Sequence, residues 1–176
     1  WDRRYGFMNK ALTSPISRSA IAIGKMSAIS LIAALQASLI IGIALAIGVT
    51  FPNPLMIIPI MGIVILFSLG FSGISVTLAA TAKSQETFWG MINLLGMPLF
   101  MLSPALFPLE LLPSWLAVIA KLNPVTYTIL LVRELMTGVS EGGVPILLSI
   151  GVIFAFVIAM VAIASYVFTR EVNKPF

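Results

Sequence analysis

The sequence predicts an all-α, polytopic integral membrane protein with about four transmembrane helices and a re-entrant pair of short helices before the last span. Three observations carry this. The chain is 60% hydrophobic and only 9% charged over 176 residues, whereas a soluble domain carries about 25% charge. Uncharged apolar runs recur at 26–49, 55–82, 88–106 and 144–169, each near the ~20 residues that cross a bilayer as a helix. The late stretch 107–135 differs from them, with Glu110, Lys121, Arg133 and Glu134 among Pro108, Pro113 and Pro124.

The first element, residues 1–25, is polar and basic, with Asp2, Arg3, Arg4, Lys10, Arg18 and Lys25. Tyr5, Met8 and Leu12 share one helical face, so a short amphipathic helix fits before Ser14-Pro15. Ser17 can cap the next helix. As a pattern alone, the segment also suits a juxtamembrane stretch whose cations face lipid phosphates.

In span 26–49, Ser30, Ala34, Ser38, Gly42 and Ala46 recur every fourth residue. Such a small-residue ridge lets another helix approach closely. Gln36 is the one large polar side chain there; it suits an interhelical hydrogen bond or a substrate contact. The turn Phe51-Pro52-Asn53-Pro54 leads into span 55–82. The second half of that span is rich in small and hydroxylated residues: Ser68, Gly70, Ser72, Gly73, Ser75, Thr77 and Thr81. Hydroxyls in a membrane helix bond back to their own helix or pack closely; lining a substrate path is the second reading. Residues 83–87 form a return loop.

Span 88–106 contains Pro98, which must kink it or end its regular part, because proline removes a backbone donor. The stretch beyond restarts twice. Proline suits a first helical turn and Asn accepts from free N–H groups there, so Pro113 and Asn123-Pro124 predict short helices over 113–121 and 124–136. Leu112, Trp115, Leu116, Ile119 and Leu122 share a face of the first. At about 1.5 Å per residue, each reaches only about halfway across a bilayer. Two half-length helices with a polar joint fit a re-entrant hairpin, tolerated at membrane depth against protein or a water-filled cavity. They also fit an external loop lying on the membrane surface. Thr137-Gly138 closes the second helix, and a smaller ridge, Gly151, Ala155 and Ala159, marks the last span.

Phe107-Pro108-Leu109-Glu110, Leu112-Pro113, Trp115-Leu116, then Leu122-Asn123-Pro124-Val125-Thr126-Tyr127 and Arg133 together resemble the C-terminal signature of type-2 ABC transporter permeases. The opening stretch, from Trp1 through Asp2, Arg3, Arg4, Tyr5, Gly6, Phe7, Met8 and Lys10 to Ser19, looks like the same family's cytoplasmic segment before its third membrane helix. It is especially similar to the drug-resistance and nodulation-factor branch. Where this family often has Ser-Gly-Ala, this chain has Ser103-Pro104-Ala105. Where an Asp commonly follows the Tyr by three residues, it has Leu130, so any substrate or ion role of that Asp does not carry over.

The resemblance implies a permease subunit of an ATP-driven exporter that forms the translocation path. It implies that 1–25 is a coupling segment docking on a separate ABC ATPase, with ATP and Mg held by that partner and no cofactor bound by this chain. It also implies a second permease copy, identical or different, in the cell membrane. The family usually has further membrane helices upstream, so the expectation is the C-terminal portion of a longer permease. The competing expectation is a non-transporting membrane anchor or assembly subunit, which the small-residue ridges fit equally.

Charge sets the orientation. Four spans put both ends and the 83–87 loop on one side, which then holds eight of the ten Lys and Arg; only Lys121 and Arg133 lie opposite. The basic side is cytoplasmic by the positive-inside rule, so the 108–136 stretch is extracytoplasmic, where the family places its re-entrant helices. The net charge of +4 reflects these span ends and not affinity for nucleic acid. The chain has no Cys and no His, which removes disulfides, thiol chemistry and the common zinc and general-base options. No phosphate-cradling, zinc-protease or nucleophile-elbow motif is present. The span interiors lack ionisable residues, which argues against a proton relay. The sequence therefore predicts no enzyme activity in this chain and energy input from elsewhere.

Overall fold

A computed structural model of the protein describes residues 17–51, 53–106, 108–140 and 142–172. Among the described residues six α-helices run in order: α1 Arg18–Ala46, α2 Ile57–Thr81, α3 Gln85–Met101, α4 Ser114–Leu122, α5 Pro124–Thr137 and α6 Ile146–Val172. Short 3-10 turns at Pro54–Met56 and Leu109–Leu111 precede α2 and α4. The fold is all-helical, and among the described residues three helices are long and apolar enough to cross a membrane: Arg18–Ala46, Pro54–Thr81 and Ile146–Glu171. The α4–α5 pair is bent by 89° and counts as a fourth crossing only if the two halves are taken as one span.

The helix ends follow local chemistry. Ser17 stands at the start of α1 in an extended conformation but makes no side-chain cap. Helix α1 thus opens with the basic turn that the sequence leaves outside the span. Asn53 Oδ1 accepts from the Leu55 N–H (3.0 Å) and so caps the 3-10 turn that leads into α2, which has no side-chain cap of its own. Ser84 Oγ accepts from the Thr87 N–H (3.1 Å), so α3 begins on a true cap. Helix α3 stops at Met101, short of residue 106. Pro98 lies inside it, and Ser103 N–H turns to the Phe100 carbonyl (3.2 Å), which tightens the chain toward Pro104. Its 17 residues extend about 25 Å, against about 30 Å of hydrocarbon.

The core is a bundle of α1, α2 and α6, with α2 in contact with both neighbours. At one end Ala22 and Met26 of α1, Val76 and Ala80 of α2, and Ala164 and Phe168 of α6 are buried together. Further along, Ile153 and Val157 of α6 pack with Leu131 of α5 and with Leu66 and Phe67 of α2. Phe67 stacks on Phe156, ring centroids 5.7 Å apart. Close approach of α2 and α6 rests on two glycines. A Cβ on Gly73 would sit 2.9 Å from the Met160 carbonyl oxygen, and one on Gly70 would sit 3.0 Å from Val157 Cα. Such small-residue contact is what holds helices together where lipid removes the hydrophobic drive.

The α1 ridge divides. Ser30 and Ala34 are buried, and Ser30 Oγ donates to the Ile65 carbonyl of α2 (2.6 Å) and lies 3.2 Å from Ser68 Oγ. Ser38, Gly42 and Ala46 are exposed, and nothing in the chain lies within 4 Å of a Cβ placed on Gly42. Helix α3 stands apart from this bundle. It touches α2, none of its residues is buried, and Trp89, Leu94, Met97 and Phe100 are all exposed.

Candidate functional site

The site is the elbow between α4 and α5, together with the end of α3 that it holds. At this joint every residue of Asn123-Pro124-Val125-Thr126-Tyr127 sits in the break or in the first turn beyond it. An 89° bend exposes the last carbonyls of one helix and the first N–H groups of the next. The signature residues satisfy them. Asn123 Oδ1 accepts from the Val125 N–H at 3.0 Å, and Pro124, at the first position of α5, has no N–H to satisfy. Thr126 Oγ1 donates to the Ala120 carbonyl at 2.7 Å, and Tyr127 Oη donates to the Lys121 carbonyl at 2.8 Å. Asn123 and Thr126 are buried. An unsatisfied carbonyl in an apolar setting costs several kcal/mol (about 2–7), so these bonds fix the bend.

Two further bonds reach across the chain to the end of α3. Ser103 N–H has turned to Phe100, which leaves the Leu99 carbonyl off the helical ladder. Asn123 Nδ2 donates to it at 2.6 Å. Farther along α5, Arg133 Nη2 donates to the Pro104 carbonyl at 3.0 Å. Ser103 and Pro104 are fully buried in this turn, where Ser103 Oγ donates to the Phe100 carbonyl (2.6 Å).

The elbow is also anchored to the bundle. Tyr127, Leu131 and Leu135 of α5 pack on α6 and α2, and Leu109 of the 3-10 turn is buried with Ala120 and Leu130. Helix α5 ends at Gly138, whose φ of +73° is the left-handed geometry that glycine adopts without strain. The outer side of α5 borders an open apolar groove lined by Thr128, Ile129, Val132, Arg133, Met136 and Thr137.

The remaining sequence-predicted residues fall as follows. Asp2, Arg3, Arg4, Tyr5, Gly6, Phe7, Met8 and Lys10, like Phe107, lie outside the described residues. Pro108 precedes the Leu109–Leu111 turn, which includes Glu110, and Pro113 precedes α4. Trp115 is exposed with Val118 and Leu122, so most of the apolar face of α4 points away from the protein. Ser68 Oγ donates to the Val64 carbonyl, Ser72 Oγ to Leu69, Thr77 Oγ1 to Gly73 and Thr81 Oγ1 to Thr77. These hydroxyls thus bond to their own helix, and Ser72 is buried against α1. Ser75 is half-buried; Gln36 is exposed on the flank of α1 away from Ala34. Sequence reasoning missed the roles of Thr126 and of the Leu99 and Pro104 carbonyls. Thr126 lies within the quoted signature, but backbone acceptors 24 and 29 residues away leave no trace in side-chain patterning. Among the described residues no group of three or more His, Cys, Asp or Glu could hold a metal.

Three long apolar helices, with a bent, hydrogen-bond-sealed helix pair docked on two of them, define a multi-pass helical membrane protein. Within that class the chain belongs to the ABC-2 type transporter family, whose profile matches residues 1–137. It is the membrane permease part, which is not itself catalytic, and permeases of this family work with ATPase subunits. The chain is 33% identical over 136 residues to the "Putative transport permease ycf38" of Cyanophora paradoxa, covering 77% of this chain and 47% of that protein. Against the protein of the same name from Pyropia yezoensis it is 32% identical over 143 residues, covering 80% and 48%. It thus spans about half the length of the curated relatives it matches. No solved structure matches it.

Proposed function

We propose that the chain forms the translocation path of an ATP-driven exporter of the drug-resistance and nodulation-factor type, as one of two permease copies in the cell membrane. A separate ATPase docks on the coupling segment 1–25 from the cytoplasmic side and holds the ATP and Mg. Helices α1, α2, α3 and α6 cross the bilayer, α3 being the short one, and both ends of the chain are cytoplasmic. The α4–α5 pair enters from outside and turns back, capping the exit. Apolar or amphipathic molecules suit a path with so few charges.

The observation that carries the exit cap is the elbow. The Asn123, Thr126 and Tyr127 side chains bond to backbone groups within the chain, as a chain that turns back at membrane depth requires, while Leu111, Trp115, Val118 and Leu122 face outward and exposed. That apolar face suits lipid and headgroups better than water. The test is transport by the intact permease with its co-purified ATPase in sealed vesicles. Nucleotide-stimulated movement of an amphipathic dye is expected; an ATPase that binds and hydrolyses without any transport would mark the chain as an anchor.

A further inference from the structure

The two bonds from the elbow to the end of α3 point to a mechanical role. We infer that Asn123 and Arg133 are positioning residues that pin the outer end of α3 to α5, so that α3 pivots about that end. This rests on the exporter reading for its meaning, since a pivot outside leaves the inner end of α3 as the moving end.

Four observations converge. Against the described residues helix α3 has no buried residue and a thin contact with α2, so α1, α2 and α6 do not hold it along its length. Its outer end is held by Asn123 on Leu99 and by Arg133 on Pro104, at 2.6 and 3.0 Å. Both pins come from residues tied to the bundle: α5 packs on α6 and α2 through Tyr127, Leu131 and Leu135. Pro98 lies one residue before the pinned carbonyl; it removes a ladder bond, and sharp helix bends concentrate at such sites. The inner end, by contrast, begins at a short loop after Thr81 with an exposed cap at Ser84. An α3 displaced at its inner end therefore rotates about the Leu99–Pro104 turn rather than sliding past the elbow.

The test uses the intact permease with its ATPase, spin-labelled at introduced cysteines after replacing any native ones. One pair reports the outer end, Phe100 on α3 and Thr137 on α5, both exposed. A second reports the inner end, Trp89 on α3 and Thr81 on α2, also exposed. The outer pair should keep one narrow distance with and without nucleotide, while the inner pair shifts. Asn123→Asp replaces the donor with a carboxylate facing the Leu99 carbonyl, and should make the outer distance broad and nucleotide-dependent. Arg133→Met should do the same more weakly, and Arg133→Lys, which keeps a donor, should restore the narrow distance. If Asn123→Asp fails to fold, the two Arg133 variants decide the matter alone. An outer pair that shifts with nucleotide in the native protein, or stays narrow without the Arg133 donor, overturns the pin. Absence of dye transport with these distances intact overturns the exporter reading instead.

Discussion

Replacing Gly73 with alanine should destabilise the helix bundle, by about 1–3 kcal/mol, the usual effect of forcing atoms into a filled core. Two effects oppose each other. Alanine is the better helix former by about 0.5–1 kcal/mol. Against that, its Cβ would lie 2.9 Å from the Met160 carbonyl oxygen and 3.1 Å from Met160 Cβ. The near atom is backbone and cannot swing aside, so α2 and α6 must separate. Leucine at the same place should prevent assembly. The measurement is thermal unfolding of the intact permease in detergent, with Gly42→Ala as the control. Nothing meets a Cβ at Gly42, so there only the propensity gain operates and stability should hold or rise slightly. Gly42→Leu should likewise leave the chain folded. If the open half of the α1 ridge packs on the second copy, that variant should weaken crosslinking between copies in native membranes.

The second large effect concerns residues 1–25. Replacing Gly6-Phe7 with two aspartates should abolish nucleotide-driven transport while the permease still inserts and expresses. The segment resembles one that docks on an ATPase, and carboxylates in place of a glycine and an aromatic remove contact area and add charge that must be desolvated. Hydrolysis by the partner should continue without export. Unchanged transport at normal expression would remove the coupling role from residues 1–25.

The breaks in the chain were legible because proline and Asn act locally. Pro113, Asn123, Pro124 and Gly138 each stand within a residue of a helix end. The close-packing glycines of α2 were legible as a composition bias, although which helix they meet was not. Partnership needs three dimensions: the Ser30-to-Ala46 ridge reads as continuous, yet only its first half meets α2 and the rest is open. Likewise the shared apolar face of α4 is legible as a stripe but its direction is not: burial falls on Ala120 and the large side chains point outward. In a soluble domain such a stripe faces the core; in a membrane the lipid is as apolar as the interior, so the pattern does not choose a side. The pinning of α3 was not legible at all, because its acceptors are backbone carbonyls freed by the proline-rich turn.

The most direct test of the exit cap is the accessibility of Leu122. The side chain is 81% exposed, so nothing among the described residues shields it, whereas a bilayer would. Val139, just past the end of α5 and 59% exposed, serves as the reference. The chain contains no cysteine, so Leu122→Cys and Val139→Cys can each be read singly once any cysteines outside it are replaced. An impermeant maleimide added outside intact cells should label position 139 quickly and position 122 slowly, at a rate that nucleotide changes in the assembled transporter. Equal, fast and nucleotide-independent labelling would place the α4–α5 pair on the membrane surface, and labelling of position 122 only from the cytoplasm would contradict the topology itself.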